Sequence, residues 1–366
     1  MKLIKYFKGK KVLITGHTGF KGSWLLAWLK SLGADIIGVA LDPHTNPSHF
    51  DVLDLKDHIK NIVLDVKDGN ALENVIIEAQ PDFVFHLAAQ ALVRKSYQNP
   101  VMTWNTNLIG TINVLEGLRK LKKKCAAVLI TSDKCYDNVE WHWGYREIDR
   151  LGGEDPYSAS KGAAELAIRS YIKSFFHEEK SLVRIGSARA GNVIGGGDWA
   201  DNRIIPDCVK AWSKGEIVEL RNPRATRPWQ HVLEPLSGYL TQAIALYDQK
   251  KFHGESFNYG PYSSQNNSVG ELVNNMSNYW KKVKWKDVSS EKSGPYEAGL
   301  LKLNCDKALN LLEWHPVMNF EQTLQMTVEW YQSFYKNFNN SKKETFNQIQ
   351  RYTEFATKKS LVWTKL

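Results

Sequence analysis

The apolar run Lys11–Thr15, KVLIT, passes without a spacer into Gly16-His17-Thr18-Gly19-Phe20-Lys21-Gly22, and a helix-length apolar stretch follows at once. A strand that turns this tightly into a helix leaves its next strand far from its own end, so the chain returns parallel to the first strand through a right-handed crossover. The first half keeps that rhythm. Strand-like runs fall at 11–15, 35–40, 61–64, 82–86, 126–130 and 183–189, and helical patterns at about 20–32, 69–79, 98–122 and 155–176. Such alternation predicts the α/β class, a doubly wound parallel-sheet Rossmann domain covered by helices on both faces.

After Gly191 the rhythm breaks at Gly195-Gly196-Gly197, Pro206 and the segment RNPRATRPWQHVLEP. Glycine and proline in this density punctuate a new unit, which predicts a smaller α/β substrate-binding lobe. The strand-like 229–232, the helix 234–248 and the strand-like 256–259 are expected to return to the first sheet. The expected division is therefore 1–192 plus about 229–260 for the first domain, 193–228 plus about 261–340 for the lobe, and 341–366 for a tail. A helix at about 320–338 closes the fold. The polar tail is expected to be loosely ordered, although that would leave Trp363 exposed.

Gly16, Gly19 and Gly22 have a specific use at a strand-to-helix turn. Glycine permits the turn, lets backbone amides approach a pyrophosphate and lets the helix pack on the strand, while the helix N-terminus adds partial positive charge. Asp42 follows the second strand, twenty residues past Gly22. A carboxylate there binds the adenosine ribose hydroxyls and repels a further phosphate, which favours NAD over NADP.

Tyr-x-x-x-Lys occurs three times, at Tyr6/Lys10, Tyr157/Lys161 and Tyr247/Lys251, so context must choose among them. Only Tyr157 opens a helix after Asp155-Pro156, a good N-cap and first helical residue, and only it follows a strand ending in Thr131-Ser132. Four residues apart on a helix, phenol and ammonium share a face, and the ammonium is expected to lower the tyrosine pKa. Tyr157 then serves as a general base on a substrate alcohol, with Ser132 holding the same oxygen.

Forty-eight Lys and Arg against thirty-nine Asp and Glu give a net charge of +9, which favours an anionic partner without identifying it. The basic runs at 122–124 and 281–284 come at helix ends, where cations suit the dipole. Cys125, Cys135, Cys208 and Cys305 lie far apart without metal-ligand spacing, which suggests reduced thiols and no metal site. The basic N-terminal segment runs into a strand without an apolar core, and no stretch of eighteen apolar residues occurs, so the expectation is a cytoplasmic protein with no membrane partner.

Taken together, GHTGFKGSWL, HLAAQALVRKSY, ITSDKCYDNVEWHWGYRE, DPYSASKGAAEL, RAGNVIGGGDW and RNPRATRPWQHVLEPLSGYL resemble the extended short-chain dehydrogenase/reductase superfamily. More narrowly they are similar to its CDP-glucose 4,6-dehydratase branch, over residues 11 to about 245 with a weaker continuation to 335. The resemblance implies a hydro-lyase that converts CDP-glucose to CDP-4-keto-6-deoxyglucose for surface-polysaccharide synthesis, with no nucleic acid partner. It implies a cycle of oxidation at C4, loss of the C5 proton and of water from C6, and hydride return to C6. Asp133 matches the acid for the departing C6 hydroxyl, and Lys134 stands where related dehydratases carry Glu and is assigned to the C5 proton. The resemblance also places Phe20, Asp65, Val66, Ala88, Ala89, Gln90 and Asn107 at the cofactor. Asn192, Arg203, Arg221 and Arg227 fall at the nucleotide diphosphate, where guanidinium forks suit phosphate. Trp141, Trp143, Trp199 and Trp229 could stack on cytosine, though packing suits any one of them better. Tyr296, Gly299, Leu300 and Asn304 depart from the branch pattern. A homodimer built on the helices near 98–122 and 155–176 is implied as well. The alternatives are a dehydratase or epimerase for another nucleotide hexose, and a non-catalytic dinucleotide-binding protein.

Overall fold

The computed structural model describes residues 2–176, 181–262, 264–281, 283–289 and 300–365. Seven strands, β1 (Lys11–Thr15), β2 (Asp35–Ala40), β3 (Lys60–Val63), β4 (Phe83–His86), β5 (Cys125–Ile130), β6 (Val183–Ala190) and β7 (Ser256–Tyr259), form one sheet in the order β7-β6-β5-β4-β1-β2-β3. Every pairing in it is parallel. Both faces are covered, so the central strands are apolar throughout: all six residues of β5, CAAVLI, are buried.

Alternate side chains feed two cores. Val12, Ile14, Phe83 and Phe85 pack with α1 (Phe20–Ser31), whereas Leu13 and Val84 face α2 (Gly69–Ala79), α3 (Gly110–Arg119) and α4 (Pro156–Phe175). α5 (Leu233–Asp248) joins the first of these layers, and α6 (Phe320–Lys336) and α7 (Ser341–Lys358) extend it. The strand order reverses between β4 and β1, where crossovers leave to opposite faces and open a crevice beyond the carboxyl ends of the strands. Gly16, Asp42, Asp65, Ala88, Ser132 and Asn192 all lie just past a strand's carboxyl end, which gathers the predicted site loops on one edge.

Three expectations change. Within 229–232 only Gln230–His231 is a strand, and it pairs with Val193–Ile194 rather than with the main sheet; Ser256–Tyr259 does join that sheet, beside β6. The helix expected over 98–122 is divided into Val93–Gln98, Pro100–Trp104, a π-helical turn Asn105–Ile109 and α3, because Pro100 can only open a helix and the wide turn admits an extra residue. The tail is ordered helix, not loose chain. Thr345, Ile349, Tyr352 and Ala356 of α7 are buried at helical spacing, a stripe diluted by the many polar residues around it. Trp363 is 1% exposed, with its ring 5.8 Å from that of Trp28 and 5.9 Å from that of Tyr352.

Smaller elements follow β6. The helix Ile204–Lys214 leads to Val218–Leu220, which pairs in parallel with Trp285–Asp287, and Thr226–Arg227 pairs antiparallel with Asn267–Ser268. Among the described residues no helix is long and apolar enough to cross a membrane, and no group of three His, Cys, Asp or Glu side chains could hold a metal ion. All four cysteines are free thiols.

Candidate active site

The three glycines of the first turn have distinct steric duties. Gly16 has φ +76°, and a Cβ on it would lie 2.6 Å from the Ala88 nitrogen; a Cβ on Gly22 would lie 2.0 Å from the Gly16 carbonyl oxygen. Both positions are closed to any side chain by the protein's own backbone. A Cβ on Gly19 would meet only the Gly16 oxygen, at 3.4 Å. Gly19 is also the N-cap of α1, and no side chain caps the helix there. The space beside Gly19, with the uncapped first-turn N–H groups of Phe20, Lys21 and Gly22, fits an anionic pyrophosphate. Asp42 is exposed two residues past β2, where the Thr18 hydroxyl donates to the neighbouring Leu41 oxygen over 2.8 Å. Asp65, just past β3, is held by the Lys67 ammonium at 3.3 Å and precedes the buried Val66.

The loop after β4 is fixed from both sides. Thr15 Oγ1 accepts from the Ala88 N–H at 3.3 Å and bonds His86 Nδ1 at 2.7 Å. Burial pushes His86 down to about 3, so its imidazole is neutral. Asn107, in the π-helical turn, uses its whole carboxamide: Oδ1 accepts from the Gln90 N–H at 2.8 Å, while Nδ2 donates to the Gln90 oxygen at 3.1 Å and to Ser160 Oγ at 2.8 Å. Ser160 in turn donates to the Tyr157 oxygen at 2.7 Å. One asparagine thus pins the Ala88–Gln90 loop to the first turn of α4.

The α4 start is local chemistry. The Asp155 carboxylate accepts from the N–H groups of Tyr157 and Ser158, and Pro156 occupies the first helical turn. Tyr157 and Lys161 are both buried. Lys161 Nζ donates to the Ile130 oxygen at the end of β5, 3.3 Å away. The expected acidic phenol is not what this chain alone provides. Burial pushes Tyr157 up to about 12, and Ser132 and the charge of Arg203 only partly oppose it; burial likewise depresses Lys161 to about 8, against the pull of Glu165. Desolvation outweighs the neighbouring charge for both groups.

Ser132 and Asp133 are buried where the chain leaves β5. Ser132 caps a short turn by accepting from the Lys134 N–H at 3.2 Å, and its hydroxyl donates to Asp133 Oδ1 at 2.9 Å. Burial raises the Asp133 pKa, while the charges of Lys134 and Lys21 and the Ser132 hydrogen bond hold the rise down. The other carboxylate oxygen sits against Gly191, where a Cβ would be 3.3 Å away. Lys134 is half-buried beside it.

On the far side of the crevice Arg203 ion-pairs with Asp198 at 2.7 Å, and its charge acts on both Tyr157 and Lys21. Asn192 follows β6, and its backbone oxygen accepts from the Gln230 N–H at 3.1 Å. Arg227 lies in the strand paired with Asn267–Ser268, next to Pro228, which packs against Gly191. Arg221 directly follows the strand Val218–Leu220. Two of the four tryptophans are core: Trp199 packs on Trp330 and Phe334, and Trp229 is buried with Nε1 donating to the Asn267 oxygen at 3.2 Å. Trp141 packs on Tyr145, and Trp143 is 72% exposed. Tyr296 and Gly299 lie outside the described residues.

Two further groups belong to this site, and the motifs did not single them out. Lys21, between the second and third glycines, extends over the Tyr239 ring at 6.0 Å; burial and the charges of Lys161 and Arg203 lower it to about 8. Glu165, one turn past Lys161, pairs with buried Arg189 at 2.7 Å and accepts from Thr131 and Ser187. Arg189 also donates to the Tyr136 hydroxyl at 2.7 Å. Lys21 was visible as a cation inside a glycine turn, and Glu165 as the next residue on the Tyr157/Lys161 face.

The chain is similar to known proteins over most of its length. The family model described as GDP-mannose 4,6 dehydratase matches residues 13–327. CDP-glucose 4,6-dehydratase of Salmonella typhimurium is 46% identical over 333 residues, covering 90% of this chain and 92% of the relative. Among solved structures, the UDP-glucose 4-epimerase of Thermotoga maritima with UDP-glucose aligns at TM-score 0.73 and 23% identity, over 88% of this chain and 98% of that one. The Thermus thermophilus UDP-glucose 4-epimerase complex with NAD also aligns at TM-score 0.73 and 23% identity, over 88% and 99%. The match runs from the first strand through the helix that closes the fold, so this chain belongs to the GDP-mannose 4,6-dehydratase family of nucleotide-sugar enzymes.

Proposed function

We propose that the chain is an NAD-dependent hydro-lyase that converts CDP-glucose to CDP-4-keto-6-deoxyglucose. The observation that carries this reading is the buried acid beside the redox pair: Asp133, raised by burial, accepts from the Ser132 hydroxyl at 2.9 Å, and its charge acts on the buried Tyr157. An epimerase has no departing water and no use for such an acid. The 46% identity to a CDP-glucose 4,6-dehydratase supports the choice of nucleotide.

Gly16, Gly19, Phe20 and Gly22 would hold the NAD pyrophosphate, Asp42 the adenosine ribose, and Asp65 and Val66 the adenine. Ala88, Ala89 and Gln90, fixed by Asn107, would flank the nicotinamide end. NAD held there would supply the hydride acceptor and donor that oxidation at C4 and reduction at C6 require. Tyr157 takes the C4 hydroxyl proton while Ser132 holds that oxygen, and Lys161 keeps the phenol oriented. Because burial holds Tyr157 high, it works as a base only with positive charge close by, and Arg203 supplies some of it from the chain. Asp133 gives its proton to the leaving C6 hydroxyl, and Lys134, acting as the neutral amine, removes the C5 proton made acidic by the C4 carbonyl. Asn192, Arg203, Arg221 and Arg227 would bind the diphosphate.

Residues 1–192 with about 229–260 would form the cofactor domain, and 193–228 with about 261–340 the sugar-nucleotide lobe. Tyr97, Val101, Ile109 and Leu166 are exposed apolar side chains on the helices expected at a dimer interface, and a dimeric mass in light scattering is the expected result. Cytoplasmic residence and a role in surface-polysaccharide synthesis accompany the reading.

The test is a panel of CDP-, dTDP-, GDP- and UDP-hexoses, with the 4-keto product read by its absorbance in alkali. CDP-glucose should give the signal, and Lys134→Met should abolish dehydration while C4 oxidation persists. A signal with dTDP- or GDP-hexose alone would overturn the nucleotide assignment.

A further inference from the structure

The segment Gly195-Gly196-Gly197 leads to Asp198 and Arg203, and it passes between α1 and the C-terminal helix α6. A Cβ on Gly196 would lie 2.0 Å from Trp330 Cγ on α6. Gly197 has φ +82°, and a Cβ there would lie 2.5 Å from His49 Cδ2. Both places are closed to a side chain, so the chain passes them as glycine. Hydrogen bonds then hold the backbone from two sides. From α1, Trp24 Nε1 donates to the Gly196 oxygen at 2.8 Å; from α6, the Tyr331 hydroxyl donates to the Asp198 oxygen at 2.5 Å. Trp199 is packed in the same place, its ring 5.5 Å from that of Trp330 and 6.0 Å from that of Tyr331. His49 ties the two sides together: its ring stacks on Trp24 at 4.9 Å, Nδ1 bonds Ser23 Oγ at 2.7 Å, and Nε2 bonds Thr345 Oγ1 of α7 at 3.0 Å.

We propose that Tyr331 is a positioning residue for the substrate diphosphate: through the Asp198 carbonyl it sets the loop from which Arg203 reaches the phosphates. This rests on the reading of Arg203 as a phosphate ligand given above. Asp198 joins the two ends. While its carbonyl accepts from Tyr331, its buried carboxylate accepts from the Ala200 N–H at 3.1 Å and pairs with Arg203 Nη1 at 2.7 Å. One corner of the guanidinium is thereby tied down, and the Arg203 side chain keeps 35% of its surface open. A planar fork of donors matches phosphate oxygens only at a defined place and angle, so the course of this loop decides the fit. Taking away the Tyr331 hydroxyl would leave a buried carbonyl without its donor, and the backbone would shift towards another partner. Asp198 would then carry Arg203 with it. Tyr331 is fully buried and acts through Asp198, and in Tyr331→Phe its ring remains as packing for Trp199.

The experiment titrates CDP and cytidine into the full chain with NAD present, in a calorimeter, for wild type, Tyr331→Phe, Arg203→Ala and the double variant. The ratio of the two affinities isolates what the phosphates contribute. Tyr331→Phe should lower that ratio by about tenfold, as the loss of a hydrogen bond to a charged group does, and should leave cytidine affinity unchanged. In the Arg203→Ala background it should lower the ratio no further, because both substitutions then act on one contact. If Tyr331→Phe weakens CDP and cytidine equally, or weakens neither, or acts additively with Arg203→Ala, then Tyr331 only supports the fold and the proposal is wrong. A wild type that prefers another nucleoside diphosphate would overturn the choice of nucleotide, and the same ratio taken with that diphosphate and its nucleoside would still decide the role of Tyr331. A second readout needs no ligand. Hydrogen exchange at the Ala200 amide, held by the Asp198 carboxylate, should speed up by about tenfold in Tyr331→Phe. Unchanged exchange would overturn the link from Tyr331 to the loop. A ratio unmoved by Arg203→Ala, with faster exchange in Tyr331→Phe, would instead sink the reading of Arg203 as a phosphate ligand.

Discussion

Gly19→Ala and Gly22→Ala separate what the first turn does for the fold from what it does for a ligand. At Gly22 the added methyl would start 2.0 Å from the Gly16 carbonyl oxygen, and real Cβ atoms essentially never come within 3.0 Å of such an atom. The gap must open by about 1 Å. That oxygen cannot yield easily, because Gly16 donates to the Val39 oxygen at 2.8 Å, its carbonyl accepts from the Gly19 N–H at 3.1 Å, and the Ala88 backbone closes the space beside its Cα. Overpacking of this kind costs about 1–3 kcal/mol or more, partly offset by about 1 kcal/mol from the better helix propensity of alanine. A net loss of about 1–2 kcal/mol should lower the melting temperature by a few degrees. At Gly19 the methyl would meet only an ordinary contact at 3.4 Å, with φ already at −77°, so the fold should lose less than about 1 kcal/mol, the effect of a poorer N-cap. The same methyl would occupy the space in front of the uncapped helix N-terminus, and NAD affinity should fall about tenfold or more, equal to about 1.4 kcal/mol. Thermal unfolding without ligand and calorimetric titration with NAD read the two effects separately. Unchanged NAD affinity in Gly19→Ala would refute the cradle, and an unchanged melting temperature in Gly22→Ala would refute the steric argument.

Glu165→Gln should destabilise the protein by about 3–5 kcal/mol in urea unfolding, because it leaves Arg189 as a buried charge without its carboxylate; a loss under 1 kcal/mol would mean that Tyr136 and the Glu147 oxygen suffice. Glu234 introduces a pH dependence. It is buried, accepts from the N–H groups of Val317 and Met318 and from the Tyr352 hydroxyl, and is raised by burial to about 7. A carboxyl raised on folding binds more protons folded than unfolded, so its contribution is greatest below pH ~4.5 and declines as pH rises to about 7, by on the order of 3 kcal/mol in total. Urea midpoints between pH 5 and 8 should therefore fall more steeply in wild type than in Glu234→Gln, and parallel slopes would refute the assignment.

How much of this could be read from the chain alone differs from element to element. The β1–turn–α1 unit was legible because its causes are local: a five-residue apolar strand, glycines where backbone meets backbone, and a helix starting at once. The α4 start was legible for the same reason, since Asp155 and Pro156 act on amides two or three residues away. Strand 229–232 was misplaced because a short β-prone run does not say which edge it will find, and it found Val193–Ile194. The tail was misjudged because its composition is polar while its stripe of Thr345, Ile349, Tyr352 and Ala356 has meaning only once α1 offers a surface to bury it.

Residue order, through strand and helix periods, caps and glycine sterics, was enough to set the doubly wound sheet and to gather the site loops at the strands' carboxyl ends. Ionisation was not available from it. Tyr157 and Lys161 share a helix face as their spacing demands, yet burial moves the phenol up and the ammonium down, because desolvation depends on everything packed around a group rather than on its neighbour in sequence. The placement of Lys21 over Tyr239 and of Glu165 on Arg189 likewise comes from strands and helices distant in the chain meeting in space.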